Sequence, residues 1–268
     1  MVAEKVGPAL RMVELIERQE TDRVHRERYE QELSVARRIQ RELLPRETPQ
    51  PEGWRFEVFY EPAREVGGDF YDFYDLGEGG VGVVVGDVTD KGMPAALVMA
   101  SCRTVLRGIV LGDPSLAPGE VLRRANELLV GDIPSGMFIT CLYGRLDTTS
   151  GDFRFSNAGH NLPLHKTEQG AREVRARGMP LGLLAGMDYE GAEAVIEEGH
   201  CLVLTSDGIT EAHNGERVMF GFDRMRDTVA SAPAGGALQT LLLGQQSFTG
   251  NVEQEDDITL IALNRLGR

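Results

Sequence analysis

Apolar and polar residues follow two different periods along the chain. Residues 9–44 contain no glycine or proline, and apolar residues recur between charges, at spacings of three, three and four residues from Leu33 to Leu43, which predicts a long helix. Prolines at positions 45, 49 and 51 then end this helix. The apolar stripe is thin and fits either a coiled-coil dimer or a helix packed on its own domain. Its most regular part is Leu33, Ala36, Ile39 and Leu43.

The rest of the chain mixes strand-like runs with shorter amphipathic helices. Strands are expected at 54–60, on both sides of a turn at 76–80, and at 137–146, 153–156, 201–205 and 258–263. Helices are expected near 94–109, 119–130, 223–230 and 237–247. Polar loops are expected at 157–161 and 178–182. Hairpin connections dominate this order, which favours antiparallel sheets with helices outside over a doubly wound parallel sheet.

The central hairpin, residues 66–92, places two aspartates symmetrically about its turn. Asp69 lies nine residues before Glu78 and Asp87 nine residues after it. If the hairpin has no bulge, the two carboxylates face each other with Cβ atoms about 4.5–5.5 Å apart. Such a pair calls for a proton or a cation, and hard oxygen ligands suit Mg²⁺ or Mn²⁺. Alternatively, one aspartate caps a turn and the other is solvated.

Two further aspartates occupy the same kind of position as Asp87. Asp207 follows the apolar run CLVLT, and Asp256 comes just before the closing run ITLIAL. Strand ends that meet at one edge of a sheet would gather these carboxylates with Asp69. Four carboxylates would hold two divalent ions, which together can activate a water and stabilise phosphoryl charge. Each aspartate alone is equally typical of an ordinary turn.

Composition and charge narrow the class of protein. The chain has 268 residues, 41% of them hydrophobic, and a formal net charge of −14, which disfavours a broad nucleic-acid-binding surface. Residues 1–47 contain ten basic and ten acidic side chains, so the remaining residues carry all of the net charge. The sequence therefore predicts two parts: a helical segment at 1–47 and an acidic domain at 48–268.

Three cysteines and the absence of a targeting pattern indicate the compartment. Cys102, Cys141 and Cys201 lie among apolar neighbours, which predicts reduced and buried thiols. The first residues lack the apolar core of a signal peptide, and no apolar run is expected to span a bilayer. We expect a soluble, cytoplasmic protein with no direct membrane contact.

Five motifs in order carry a resemblance to a known family. The sequence resembles the metal-dependent protein phosphatases (PPM, protein phosphatase 2C-like), in particular their bacterial SpoIIE/RsbU-type branch of serine phosphatases, over residues 33–265. The fold that this resemblance implies is an αββα sandwich, an α+β architecture of two antiparallel sheets flanked by helices. The helix ending in ARRIQRELLP resembles the one that precedes the core in that branch. The five motifs are EVGGDFYD, GDVTDKG, NAGHNLP, TSDGITEA and DDITLIAL.

The resemblance also implies a site with two Mn²⁺ or Mg²⁺ ions. The nucleophile is then a metal-bound water rather than a side chain. By motif position, the second aspartate of the closing pair, Asp257, is the less favoured ligand. The implied ligands are Asp69, Asp87, the backbone carbonyl of Val88, Asp207 and Asp256.

Three positions near these motifs have less defined roles. Arg64 precedes the first motif and is a weak candidate for holding the substrate phosphate. His160, in the NAGH motif, is a candidate general acid or a side chain that fixes its loop by hydrogen bonding. Asp90 could add charge beside the metals, but we favour a helix cap, because aspartate is a preferred N-cap residue.

The function implied by the resemblance is hydrolysis of phosphoserine or phosphothreonine in a protein. The implied substrate is a phosphorylated anti-sigma-factor antagonist of the STAS type in a partner-switching pathway, and the N-terminal helix could support a homodimer. One alternative is a non-catalytic signalling module on the same fold, against which the four aspartates argue. The other is a hydrolase of small phosphate esters, for which no GxxxxGK nucleotide loop is present.

Overall fold

Ten strands in two antiparallel sheets lie at the centre of the computed structural model, which describes residues 3–267 and, for side chains, residues 18–267. The chain divides into two units, residues 1–41 and 42–268. In chain order the elements are α1 (Ala3–Leu43), β1 (Trp54–Glu61), β2 (Phe70–Asp75), β3 (Gly80–Val88), α2 (Met93–Gly112), α3 (Pro118–Leu129), β4 (Ile139–Asp147), β5 (Asp152–Ala158), β6 (Leu164–Thr167), β7 (Gly170–Glu173), β8 (Gly191–Val195), β9 (Cys201–Thr205), α4 (Gly221–Ser231), α5 (Ala237–Thr249) and β10 (Ile258–Arg265).

The two sheets have five strands each, and each is covered by one pair of helices. One sheet has the order β2-β3-β4-β5-β8 and packs against α2 and α3. The other has the order β1-β10-β9-β6-β7 and packs against α4 and α5. All strand pairs between named strands are antiparallel. The expected αββα sandwich of antiparallel sheets with outer helices, preceded by a helical extension, is confirmed.

Aromatic side chains join the two sheets in the core. The Phe56 ring on β1 lies with its centroid 6.0 Å from that of Phe73 on β2, and Tyr60 and Tyr71 are 6.1 Å apart. Strand β3 is almost completely buried in this core, because Val83, Val84 and Val85 are inaccessible to solvent. The buried strand explains the continuous apolar run, since a strand covered on both faces needs no polar alternation.

The β2–β3 hairpin has the register that symmetry about Glu78 predicts. Phe70 pairs with Gly86 and Asp75 with Val81, without a bulge between them. The next position along the ladder is Asp69 opposite Asp87. The register therefore brings these two carboxylates to the same end of the sheet, where β3 leads into α2.

Several short or edge elements differ from the expectation. Strands β6, β7 and β8 have only four or five residues, and the last two carry no continuous apolar run, so the sequence pattern did not indicate them. Asn157 and Ala158, expected in a loop, instead end β5.

In α1, Ile39 is 57% exposed, whereas the other three positions of the expected stripe are half-buried.

Helix α2 is longer and more apolar than the sequence interpretation allowed. By length and composition alone it would suit a membrane span, the single described helix to do so, which corrects the expectation that no run was long enough. Its buried residues, including Met99, Cys102 and Leu106, pack in the core against β2, β3 and α3. This packing is that of a core helix. The three cysteines are buried and free, as expected.

Candidate metal centre

Asp69 and Asp87 form a buried carboxylate pair at the end of the β2–β3 hairpin. Asp69 is 1% exposed, and its Oδ2 accepts a hydrogen bond of 2.6 Å from the Thr259 hydroxyl on β10. Among the described residues, its other oxygen, Oδ1, has no donor. Burial, followed by the charge of Asp87, raises the pKa of Asp69 well above its usual range. The effect of the Asp87 charge on Asp69 shows that the two carboxylates are close neighbours, so one proton or cation can serve both.

Asp207 and Asp256 extend this pair into a cluster of four carboxylates. Burial and then the charges of Asp207 and Asp256 raise the pKa of Asp87 to about 7. Burial, then Asp256, then Glu211 raise the pKa of Asp207 to about 6. The ends of β3 and β9 and the start of β10 therefore place their aspartates close enough to repel one another. We call these four side chains, Asp69, Asp87, Asp207 and Asp256, the acidic cluster.

Two adjacent glycines allow the loop before β2 to lie directly on the end of β3. A Cβ on Gly68 would come within 2.7 Å of the Val88 carbonyl oxygen and 3.3 Å of Asp87 Oδ1. A Cβ on Gly67 would come within 2.3 Å of Asp257 Oδ2. Real side chains do not tolerate such approaches, so this close contact requires glycine. The Val88 carbonyl oxygen and Asp87 Oδ1 therefore both lie next to Gly68.

The Asp257 carboxylate fixes the same loop by accepting hydrogen bonds from its backbone N–H groups. Its Oδ1 accepts from the Ala63 N–H at 2.8 Å, and its Oδ2 accepts from the N–H groups of Gly68 at 2.6 Å and Asp69 at 3.3 Å. Both oxygens are thus engaged with the protein. The sequence had indicated only that Asp257 is the less favoured ligand of the two, and its organising contacts with the loop were not foreseen.

Asp256 carries the one ion pair made by the acidic cluster among the described residues. The Lys91 ammonium lies 3.0 Å from Asp256 Oδ2 and donates a hydrogen bond of 2.6 Å to the Glu255 carbonyl. Asp256 Oδ1 accepts the backbone N–H of Asp257 at 2.9 Å. Lys91 was not singled out from the sequence, because nothing in the GDVTDKG motif distinguishes it from a solvated lysine.

His160 is buried close to the acidic cluster and is not exposed at its surface. Its ring is 6% exposed, and its Nδ1 is 2.8 Å from the hydroxyl of Thr140, the residue paired with Asp87 on β4. The His160 backbone is held by Asn157, which accepts its N–H and donates to its carbonyl, both at 2.7 Å. Burial lowers the pKa of His160 to about 4, so the ring is neutral at pH 7.

The other two candidates lie on the surface near the cluster. Arg64 is exposed in the loop that Asp257 holds. Asp90 has a φ of 76°, a left-handed conformation that favours glycine, and the helix that follows begins at Met93 with Gly92 as its N-cap and no side-chain cap. The expectation that Asp90 caps this helix is wrong, because Asp90 lies two residues before the N-cap and in a strained turn.

The chemistry of the cluster fits hard divalent cations. In the described part of the chain, no three His, Cys, Asp or Glu side chains are already drawn together as the ligands of one ion. The carboxylates nevertheless raise one another's pKa, and Asp69 Oδ1 is a buried oxygen without a donor among the described residues. Several carboxylates and a carbonyl are the oxygen donors that Mg²⁺ and Mn²⁺ prefer.

A cavity of about 530 Å³ adjoins the acidic cluster. Asp256 and Lys91 lie on its side nearest the cluster, and Phe59 and Leu242 contribute apolar surface. Acidic and basic side chains, among them Glu211 and Arg217, complete its lining. The cavity therefore offers space for a ligand larger than an ion next to the carboxylates.

Comparisons with known proteins agree with this architecture. Two antiparallel sheets between helix layers, with an acidic cluster at the strand ends, define the PP2C-like phosphatase fold. The family model of Stage II sporulation protein E (SpoIIE) matches residues 77–266. The chain belongs to the SpoIIE family. Among solved structures, the SiaA-PP2C domain of Pseudomonas aeruginosa superposes with a TM-score of 0.79 at 20% identity, covering 90% of this chain and 98% of that one.

Curated relatives are longer than the matched part of this chain. Phosphoserine phosphatase RsbU of Bacillus subtilis is 28% identical over 87% of this chain and 70% of its own length. Protein IcfG of Synechocystis sp. is 29% identical over 87% of this chain, but the chain spans only 41% of that protein. A structure of RsbX in complex with magnesium shares the fold, with a TM-score of 0.62 at 14% identity over 81% of this chain and 98% of that one.

Proposed function

We propose that this chain is a metal-dependent protein phosphatase that hydrolyses phosphoserine or phosphothreonine. The observation that carries the proposal is the acidic cluster, in which buried Asp69 keeps one oxygen without a donor among the described residues. RsbU and RsbP of Bacillus subtilis, both named phosphoserine phosphatases, are similar over 87% and 67% of this chain. Those similarities favour a phosphorylated side chain as the substrate.

The acidic cluster and the Val88 carbonyl would hold two Mn²⁺ or Mg²⁺ ions. When bound, such ions supply positive charge that activates water and offsets charge on a phosphoryl group. The chain itself positions the ligands: Thr259 orients the Asp69 carboxylate, and Asp257 fixes the loop beneath it. His160 supports Thr140, and we assign it this positioning role, because a ring with a pKa of about 4 is neutral at pH 7 and a poor general acid.

Covalent catalysis by a cysteine has no support in the described residues. All three cysteines are buried. Burial raises the pKa of Cys201 to about 12 and also raises the pKa values of Cys102 and Cys141, so their thiolates are not populated at neutral pH. A water molecule activated at the acidic cluster is therefore the nucleophile that we propose.

The proposed substrate is a phosphorylated STAS-type anti-sigma-factor antagonist in the cytoplasm. The cavity beside Asp256 and Lys91 has room for substrate residues that flank the phosphoserine. We propose in addition that residues 1–47 regulate the domain at 48–268, with α1 supporting a homodimer. Arg64, exposed in the loop before β2, remains a candidate for contacting the substrate phosphate.

Phosphate release under matched conditions tests the activity. The full chain is assayed on a phosphoserine-containing STAS protein and on p-nitrophenyl phosphate, with Mn²⁺ and with EDTA. We expect Mn²⁺-dependent release that Asp87→Asn abolishes and that the exposed-loop control Asp132→Asn preserves. Equal efficiency on both substrates would instead favour a small-ester hydrolase. No release from either substrate would favour a non-catalytic module.

A further inference from the structure

We propose that Lys91 is a resident counter-ion of the acidic cluster, which a divalent cation must displace from Asp256 in order to bind. The inference rests on the metal centre of the proposed function. It assigns Lys91 a role in setting how tightly that centre binds metal. Lys91 thus becomes a determinant of metal affinity rather than a solvated surface residue.

The position of the ammonium supports this competition. Lys91 Nζ lies 3.0 Å from Asp256 Oδ2, and it donates to the Glu255 carbonyl at 2.6 Å, so two acceptors next to the cluster hold it. One lysine therefore partly neutralises a carboxylate that a metal would need.

The backbone keeps Lys91 at this position. Lys91 follows the Asp87–Val88 ligand pair by only a few residues, in the turn between β3 and α2. The residues on both sides of it are in the left-handed region, Asp90 with φ 76° and Gly92 with φ 78°. Such a conformation is uncommon for a residue other than glycine, and it defines a tight turn. The same turn therefore supplies both the ligands and the competing cation.

The ion pair is weak enough to be exchanged. The side chains of Lys91 and Asp256 are 38% and 32% exposed, and partly solvated ion pairs contribute little to stability. A divalent cation brings twice the charge and binds several carboxylates at once. Displacement is therefore favourable, but the metal must first break this contact, which reduces its affinity by a modest factor.

Calorimetric titration of Mn²⁺ into the metal-stripped full chain tests the competition without requiring turnover. We expect Lys91→Met to lower the Kd for Mn²⁺ by about two- to fivefold, as removal of a partly exposed ion pair allows. Without metal, the same variant should melt at a lower temperature, because the carboxylates lose their counter-ion. Lys91→Arg, which keeps the charge, and the control Lys166→Met on β6 should retain the Kd of the unsubstituted chain.

The same substitution in a chain that carries Asp256→Asn provides a second test. In Asp256→Asn, the partner of Lys91 is neutral, so adding Lys91→Met should change the Kd for Mn²⁺ far less than it does alone. An unchanged or higher Kd in Lys91→Met would overturn the inference. If the unsubstituted chain binds Mn²⁺ but releases no phosphate, the phosphatase proposal fails while the inference about Lys91 is still measured by binding alone.

Discussion

Asp257 Oδ2 accepts the backbone N–H of Gly68 at 2.6 Å, although the two residues are 189 positions apart in sequence. The residue just before it, Asp256, instead turns its carboxylate to Lys91 at 3.0 Å. Two consecutive aspartates thus have separate tasks. One fixes the loop that carries Asp69, and the other belongs to the acidic cluster.

Asp257→Asn should destabilise the fold. Its carboxylate accepts backbone N–H groups with both oxygens, and an asparagine NH₂ group would face one of these donors. Hydrogen bonds to a charged group contribute about 1.5–3 kcal/mol, so we expect a loss of about 2–3 kcal/mol in the free energy of unfolding. Urea unfolding of the metal-free chain measures it. A loss below about 0.5 kcal/mol would contradict the organising role.

Asp256→Asn is the matched comparison for this prediction. Its carboxylate is partly exposed and paired with Lys91, so its loss should change the free energy of unfolding by less than about 1 kcal/mol. Mn²⁺ affinity should fall instead, because a proposed ligand is removed. If both substitutions destabilise the chain equally, the division of tasks between the two aspartates is wrong.

The metal-free chain should become less stable as pH rises from about 4 to about 7. Folding raises the pKa of Asp87 to about 7 and that of Asp207 to about 6, against about 4 in an unfolded chain. At these two carboxylates the folded state binds more protons than the unfolded state in that window, so their contribution to stability falls with increasing pH. His160 and His165, whose pKa values burial lowers to about 4, act in the opposite direction and offset part of this fall. Thermal unfolding in EDTA across pH 4–8 measures this dependence.

Two additions identify the source of that pH dependence. Asp87→Asn should flatten the curve in EDTA, because it removes the carboxylate with the higher of the two stated pKa values. Millimolar Mn²⁺ should raise the melting temperature most near neutral pH, where the carboxylates are ionised and a ligand of the folded state stabilises it. An Asp87→Asn chain with the same pH dependence in EDTA as the unsubstituted chain would contradict the assignment.

Counting residues was enough to predict part of the acidic cluster. The positions of Asp69 and Asp87 about Glu78 gave the hairpin register, because strand pairing has a fixed period and this hairpin has no bulge. Asp207 follows β9 and Asp256 precedes β10, and the pairing of these two strands in the other sheet brings these two aspartates together. By contrast, the donor Thr259 lies 190 positions from Asp69, and sequence spacing carries no information about contacts between the two sheets.

Local residue propensities gave a wrong prediction at Asp90 and no signal for strands β7 and β8. Aspartate is a good N-cap residue, yet Asp90 lies in a left-handed turn before the true N-cap, Gly92, because the chain must reverse sharply between β3 and α2. Strands β7 and β8 are stabilised by ladder hydrogen bonds to their neighbours and carry little apolar pattern of their own. Their existence depends on tertiary pairing, which a single sequence does not reveal.

Asp72→Ala should destabilise the domain strongly without removing any proposed metal ligand. Asp72 on β2 is 2% exposed and pairs with Arg103 at 2.7 Å and Arg107 at 3.2 Å, both on α2. Burial raises its pKa more than the arginines lower it. Removing one partner leaves a buried charge unpaired, at a cost of about 3–5 kcal/mol. Urea unfolding measures it, with exposed Asp75→Ala as the control.

Replacing both sides of this contact separates the pair from simple packing. A buried ion pair exchanged for apolar residues is often neutral in stability, so Asp72→Leu combined with Arg103→Met should recover most of the loss caused by Asp72→Ala. In Asp72→Ala, in Asp75→Ala and in the double variant, the affinity for Mn²⁺ should remain within about twofold of that of the unsubstituted chain. A single substitution that costs less than 1 kcal/mol would show that the pair contributes little to the contact between β2 and α2.

The exposed side of α1 provides the test of self-association. Ile39 is 57% exposed, and Val24 and Val35 are also exposed, 49% and 46%, at spacings that place the three on one face of the helix. In a single chain, the charge that Ile39→Asp introduces stays in contact with solvent, because Ile39 is exposed, and the chain therefore tolerates it. In a helix-mediated dimer, the same charge would be desolvated, which is costly.

Light scattering and turnover on three chains then decide the role of α1. We expect Ile39→Asp, and a chain that begins at Pro45, to lower the mass toward that of one protomer and to change the rate of phosphate release, with Mn²⁺ still bound. Arg26→Asp, at an exposed position on the opposite side of α1, is the control and should keep the mass of the full chain. A lever between signal and site requires two arrangements of similar energy, so a modest substitution can shift the balance. If all three chains match the full chain in the number of protomers and in rate, α1 neither mediates association nor regulates the domain.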